Sequence, residues 1–157
     1  SQTLKECGVS EFLANGDFNY LNPTRDMSAK EKKELMRKRF FADDFFLSAN
    51  AVTIDGRIFQ EDGASTRVAP MIYGPDNVII IIGKNKIVDT EGQAKARIKK
   101  VAPQNCAKAG FDTPCAVDGR CLYCRVPARS CCTSVTLNYS RIPDRIKVII
   151  VNEDLGI

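Results

Sequence analysis

Val78-Ile79-Ile80-Ile81-Ile82 is an unbroken run of five β-branched apolar residues. A strand with one wet face alternates apolar and polar side chains, so a run of this kind is buried on both faces. It is far too short to span a bilayer. Cover on both faces comes from helices or a second layer of structure, which is the α/β arrangement. The rest of the chain agrees. Ile146 to Val151 is a second apolar strand, and Thr133 to Tyr139 alternates as a third. Phe45-Phe46-Leu47 and Ala51-Val52-Thr53-Ile54 are strands broken at Ser48 to Asn50. Asp55-Gly56 is a two-residue hairpin signal before Arg57-Ile58-Phe59. Thr3-Leu4-Lys5-Glu6 and Ser28-Ala29-Lys30-Glu31 are capping boxes. They predict one helix running to about Asn15-Gly16 and another ending near Asp43-Asp44. Glu91 to Val101 is helical, with Ala94, Ile98 and Val101 inward and Pro103 as its stop. Arg67 to Tyr73 reads as a short helix or strand. The predicted fold is α/β with an open, largely parallel sheet. A chain of 157 residues, 44% of them hydrophobic, suits a single domain over 1–157.

The chain has seven cysteines and no histidine. Without histidine there is no Ser-His-Asp triad, no Cys-His protease pair and no His-ligated catalytic zinc. An odd cysteine count prevents complete internal disulfide pairing, and no signal-peptide pattern opens the chain, so a reduced cytoplasmic protein is expected. Six of the seven cysteines fall between residues 106 and 132. Residues 103–132 also hold Pro114, Gly119 and Pro127 with little periodicity, and read as a long irregular loop. Within it, Cys121-x2-Cys124 offers two thiolates on one turn, and Cys115 and Cys131 can complete a four-thiolate set. Structural zinc and iron–sulfur clusters both use such sets. Arg120, Arg125 and Arg129 would offset its charge. The alternatives are free thiols in a loop and a redox Cys-x-x-Cys pair; the Pro- and Gly-rich flanks argue against the latter.

The formal net charge is +4, and it is localised: residues 84–129 carry ten basic against four acidic side chains. The face of Lys95, Lys99 and Lys100 raises nucleic acid as a partner. Little aromatic interleaving and no recognised motif accompany it, so a solvated face is expected and nucleic acid is not. Candidate ligand-binding residues are Ser1 and Thr3 at a helix start, Asn50, Asp55 and Asp62 at strand ends and turns, Arg67, and Lys84 just after the central strand. Open α/β sheets place ligands at such strand ends, and a guanidinium recognises carboxylate or phosphate bidentately. The plainer readings are helix capping for Thr3, turn chemistry for Asp55-Gly56 and Asp62-Gly63, an Asp62 pair for Arg67, and a solvated turn for Lys84-Asn85-Lys86.

Several segments together resemble the LUD-domain family, named for lactate utilisation. They are Thr3-Leu4-Lys5-Glu6, Ala49 to Gly56, Asp62-Gly63 with Arg67-Val68-Ala69, and Ile72-Tyr73-Gly74-Pro75. Gly83-Lys84-Asn85-Lys86-Ile87-Val88, Ala102-Pro103-Gln104-Asn105 and Thr113-Pro114-Cys115 follow. Gly119-Arg120-Cys121, Cys124, Arg129-Ser130-Cys131 and Glu153-Asp154-Leu155-Gly156 complete the series. The cysteine pattern is that of small stand-alone members. The resemblance implies a fold similar to ribose-5-phosphate isomerase and coenzyme A transferases. It implies an accessory redox or ligand-binding component of lactate-type organic acid oxidation, holding an iron–sulfur cluster or zinc on Cys115, Cys121, Cys124 and Cys131. An iron–sulfur partner subunit and self-association are the expected assemblies. The alternatives are a binding enzyme or sensor for a small organic acid or phosphorylated anion, and a zinc-bearing interaction subunit. Two departures stand out. The chain begins where the family has a loop following an upstream helix and strand, so an N-terminally truncated domain is expected. It also has Gly63-Ala64-Ser65-Thr66-Arg67 where many relatives have an Asn-rich turn.

Overall fold

The structure, a computed structural model, describes residues 1–157. In chain order it holds helices α1 (Gln2–Glu6), α2 (Val9–Asn15) and α3 (Ala29–Lys38), then strands β1 (Asp44–Leu47), β2 (Ala51–Thr53) and β3 (Ile58–Asp62). Helix α4 (Val68–Ile72) leads to β4 (Asn77–Gly83), a single 3-10 turn at Lys84–Lys86, and β5 (Ile87–Val88). Helices α5 (Glu91–Lys108) and α6 (Pro114–Asp118) precede β6 (Thr133–Leu137) and β7 (Ile146–Val151).

The apolar run is the centre of the molecule. β4 lies between β1 and β7 and is parallel to both. Val78, Ile80 and Ile82 are completely buried and Ile81 nearly so. They join Phe45, Leu47, Val52, Ile58, Val68 and Met71 in the main core. Full burial of each such side chain contributes roughly 1.5–3 kcal/mol. The α/β class and the parallel pairing expected from sequence are both present. A second, mixed sheet runs β5-β2-β3-β6 beside the first. In it the Asp55-Gly56 hairpin pairs β2 with β3 antiparallel, β6 adds antiparallel to β3, and β5 adds parallel to β2. Hairpins return a strand directly alongside its predecessor, which is why this part is not parallel.

Three helical expectations are corrected. The first helix is broken: Gly8 takes φ +77°, in the left-handed region, and separates α1 from α2. The Thr3–Glu6 capping box does not form, because Glu6 accepts instead from Gln2 Nε2 (2.7 Å) and from the backbone N–H of Gly156. Pro103 does not end the third helix but sits buried inside α5, which continues to Lys108. Burial of Val101 and Cys106 on either side of Pro103 outweighs the lost hydrogen bond. The 103–132 stretch is therefore helical in part. α6 begins with Thr113 Oγ1 accepting from Ala116 N–H (3.3 Å) and ends at Gly119, φ +76°. The second capping box, at Ser28 and Glu31, forms as expected. No helix is long and apolar enough to cross a membrane.

Arg145 ties the two ends of the main core. Its buried guanidinium donates to the carbonyls of Pro70 (3.2 Å), Met71 (3.0 Å), Ile72 (3.4 Å) and Pro75 (3.0 Å). These are the last carbonyls of α4 and its turn, which have no intrahelical partner. Arg145→Leu leaves them buried and unpaired, and is expected to lower urea-unfolding stability by about 2–3 kcal/mol. A loss below about 0.5 kcal/mol would mean that water replaces the guanidinium.

Candidate functional site

A cleft of about 1210 Å³ opens between the two sheets and the N-terminal helices. The break between β1 and β2 is what exposes its floor. Ser48 and Asn50 lie in that break, and both line the cleft. Asn50 is fixed from three sides. Its N–H donates to Gln60 Oε1 (3.1 Å), its Oδ1 accepts from Glu61 N–H (2.8 Å), and its carbonyl accepts from Arg97 Nη1 (2.6 Å). Arg97 Nε also donates to the Asn85 carbonyl (2.9 Å). One α5 guanidinium thus holds both the Asn50 segment and the turn after β4.

That turn delivers Lys86. Its side chain is only 5% exposed, and its ammonium donates to Thr3 Oγ1 (2.7 Å) and Ser48 Oγ (3.0 Å). No carboxylate pairs with it. Burial, reinforced by the charges of Arg97 and Arg67 against a weaker opposing effect from Glu6, brings its pKa down to about 8. The chain's last residues complete the enclosure. Asn85 Oδ1 accepts from Leu155 N–H (3.2 Å), and the Glu153 carbonyl accepts from Lys84 N–H (3.0 Å). Gly156, at φ +67°, passes so close that a Cβ there would lie 2.5 Å from Thr3 Oγ1 and 3.2 Å from Lys86 Nζ.

Asp62 and Arg67 form a charged pair in the cleft. Asp62 accepts from the N–H groups of Gly63 (2.9 Å), Arg67 (2.9 Å) and Val68 (3.3 Å), and from Arg67 Nη2 (3.0 Å). Burial pushes its carboxyl up, but the charge and hydrogen bonds of Arg67, with the Val68 N–H, outweigh this and the net shift is downward. Arg67 remains half-exposed, with its Nη2 also donating to the Glu61 carbonyl (2.9 Å).

Of the residues predicted from sequence, Ser1, Thr3, Asn50, Asp62 and Arg67 line this one cleft. Asp55 stands apart at the hairpin, paired with Arg57 (3.0 Å) and bonded to Thr53 Oγ1. Lys84 also lies outside, its neighbour two positions on having turned inward instead. The sequence offered Lys86 only as part of the Lys84-Asn85-Lys86 turn, able to bind an anion but expected to be solvated, and it gave no site role to Ser48, Gln60 or Arg97. A signal existed for Gln60: it shares the β3 face of Ile58 and Asp62, where a buried strand calls for an apolar side chain. α1 is only five residues long and Ser1 makes no side-chain cap. Thr3 serves the site through its hydroxyl on Lys86.

The cysteine segment lies beside a second cavity of about 410 Å³. Cys115, Cys121, Cys124 and Cys131 all line it, yet no group of three or more His, Cys, Asp or Glu residues is placed to hold a metal ion. As placed, these thiols do not fit a zinc or iron–sulfur ligand set. All seven cysteines are free. Burial, with Glu61 and the neighbouring thiols, pushes Cys131 up to about 11, and burial likewise raises Cys106. With a thiol reagent, exposed Cys132 is expected to react first, and buried Cys106 and Cys115 only on unfolding. Metal analysis of anaerobically purified protein checks the same placement: stoichiometric iron or zinc would contradict it. The basic α5 face is tied locally, with Lys95 on Glu91 (2.6 Å) and Lys99 over the Tyr123 ring (4.4 Å).

A family model described as the LUD domain matches residues 1–151. Among solved structures, a DUF162 family protein from Deinococcus radiodurans is 15% identical, with a TM-score of 0.46, covering 97% of this chain and 85% of that one. No curated protein matches.

Proposed function

From the chain's place in the LUD-domain family, to which it belongs, we propose that its cleft binds the anion of a small organic acid of the lactate type. The observation that carries this reading is Lys86. A buried ammonium without a carboxylate partner is an expensive arrangement, and a bound anion supplies the missing charge. Thr3 and Ser48 hold the ammonium in place while leaving the charge uncompensated. Arg67 adds a second, more accessible cation, held by Asp62 so that its outer edge stays open to the cleft. Asn50 and Gln60 give the cleft uncharged hydrogen-bonding groups. The protein is thereby a ligand-binding component for organic acid oxidation.

A thermal-shift screen tests this. Lactate and other short organic acids at millimolar concentration are expected to raise the melting temperature, because a ligand that binds only the folded chain stabilises it. A rise confined to phosphorylated sugars would transfer the cleft to a sugar-phosphate ligand. No shift with any acid, phosphorylated sugar or coenzyme A would overturn the reading.

A further inference from the structure

Gln60 Nε2 is the one buried side-chain nitrogen or oxygen in the molecule without a hydrogen-bond partner. Gln60 is 1% exposed and sits in the middle of β3, paired with β2 on one side and β6 on the other. Its amide is oriented, because Oε1 accepts from Asn50 N–H (3.1 Å) and Nε2 must therefore be the free end. Gln60 shares a strand face with Asp62, a cleft residue, and lies between the cleft and the second cavity, lining both. A buried donor left unmade is destabilising by about 1–3 kcal/mol, so an unpaired one in a ligand cleft marks an acceptor supplied from outside.

We infer that Gln60 determines specificity in this cleft, donating through Nε2 to a second oxygen of the bound acid, beyond the carboxylate that meets Lys86. The inference rests on the anion-binding reading and names the residue that tells an acid with an oxo or hydroxyl oxygen from one without it. Lys86 donates to Ser48 Oγ and Gln60 accepts from Asn50 N–H, so both recognition points are anchored on one short segment. Recognition by an oriented buried donor rejects the analogue lacking the acceptor far more strongly than an apolar wall would.

The test uses the full chain with pentanoate, 2-oxopentanoate and 4-oxopentanoate as probes, titrated by calorimetry. These acids share chain length and charge and differ only in the oxo group. Wild type is expected to bind at least one oxo acid roughly tenfold more tightly than pentanoate. Gln60→Leu is expected to erase that preference. Gln60→Met keeps the length and neutrality of the side chain, and Asn50 N–H retains the Phe59 carbonyl (3.1 Å), so it preserves the local fold should the leucine variant not fold, and it too is expected to lose the preference. Wild-type discrimination that survives in Q60M, or equal binding of all three acids by wild type, overturns the role of Gln60 and leaves the anion site standing. Failure of wild type to bind any of the three overturns both.

Discussion

Lys86→Met is expected to weaken binding of a small acid anion by roughly 100-fold while making the folded protein more stable at neutral pH. The loss of binding follows from removing the buried ammonium of the cleft, which has no carboxylate partner. The gain in stability follows from the same fact. A lysine brought from its ordinary 10.5 to about 8 is destabilised as an ammonium in the fold, on the order of 3 kcal/mol. Methionine removes that penalty and leaves the Thr3 and Ser48 hydroxyls without a donor, so the expected net gain is about 1 kcal/mol. The pH dependence separates this from simple repacking. Below about pH 8 both folded and unfolded states hold the proton, and the penalty is fully present. Between about 8 and 10.5 the unfolded chain binds the proton and the folded chain does not, so wild-type stability rises with pH. The variant lacks that rise, and the gap between the two proteins is expected to close over that window in urea titrations. A gap independent of pH would show that Lys86 is not held as a strained ammonium.

Asp62→Ala carries the largest expected loss of stability, about 4 kcal/mol. Three backbone N–H groups, at Gly63, Arg67 and Val68, lose their acceptor, and the Arg67 guanidinium loses its pair. Two of those N–H groups open α4, where a helix has no acceptors of its own. Asp62→Asn retains an acceptor oxygen and is expected to lose about half as much. The carboxylate also makes the fold acid-sensitive. Its pKa is lowered in the fold, so its contribution is present above its ordinary value of 3.8 and disappears as pH falls through the lower folded value. Acid unfolding of the asparagine variant, followed by circular dichroism, is expected to lack that component. An unchanged acid profile would place the sensitivity elsewhere.

What could be read in the sequence was what local pattern decides. The β4 run gave its own burial because five β-branched residues in a row have no wet face to offer. Asp55-Gly56 gave the hairpin because a tight turn needs a residue free to take φ +87°, as Gly56 does. The lost capping box of α1 is of another kind. Glu6 is drawn from the capping role it shares with Thr3 by the N–H of Gly156, 150 residues away along the chain. Pro103 stops most helices, but α5 is held on both sides of it by burial that only the assembled core supplies. The site divides in the same way. Asp62 and Arg67 are close in sequence, and their pairing was open to reading from it. Lys86 was not, because a Lys-Asn-Lys turn looks the same whether solvated or enclosed. What encloses it is Leu155-Gly156 on one side and Thr3 on the other, each about 70 or more residues distant. The cysteines were grouped by spacing, and the fold does bring Cys115, Cys121, Cys124 and Cys131 to one cavity.

In the proposed site Lys86 binds a small acid anion through its charge. Calorimetric titration of wild type and K86M with lactate, at about pH 7 and about pH 9.5, tests it directly. Wild type is expected to bind at the lower pH and to lose roughly 30-fold in affinity at the higher, where an amine of pKa about 8 has given up its proton. K86M is expected to bind weakly at both. Wild-type affinity that is the same at the two pH values, or is retained in K86M, would show that the anion does not bind through the Lys86 charge.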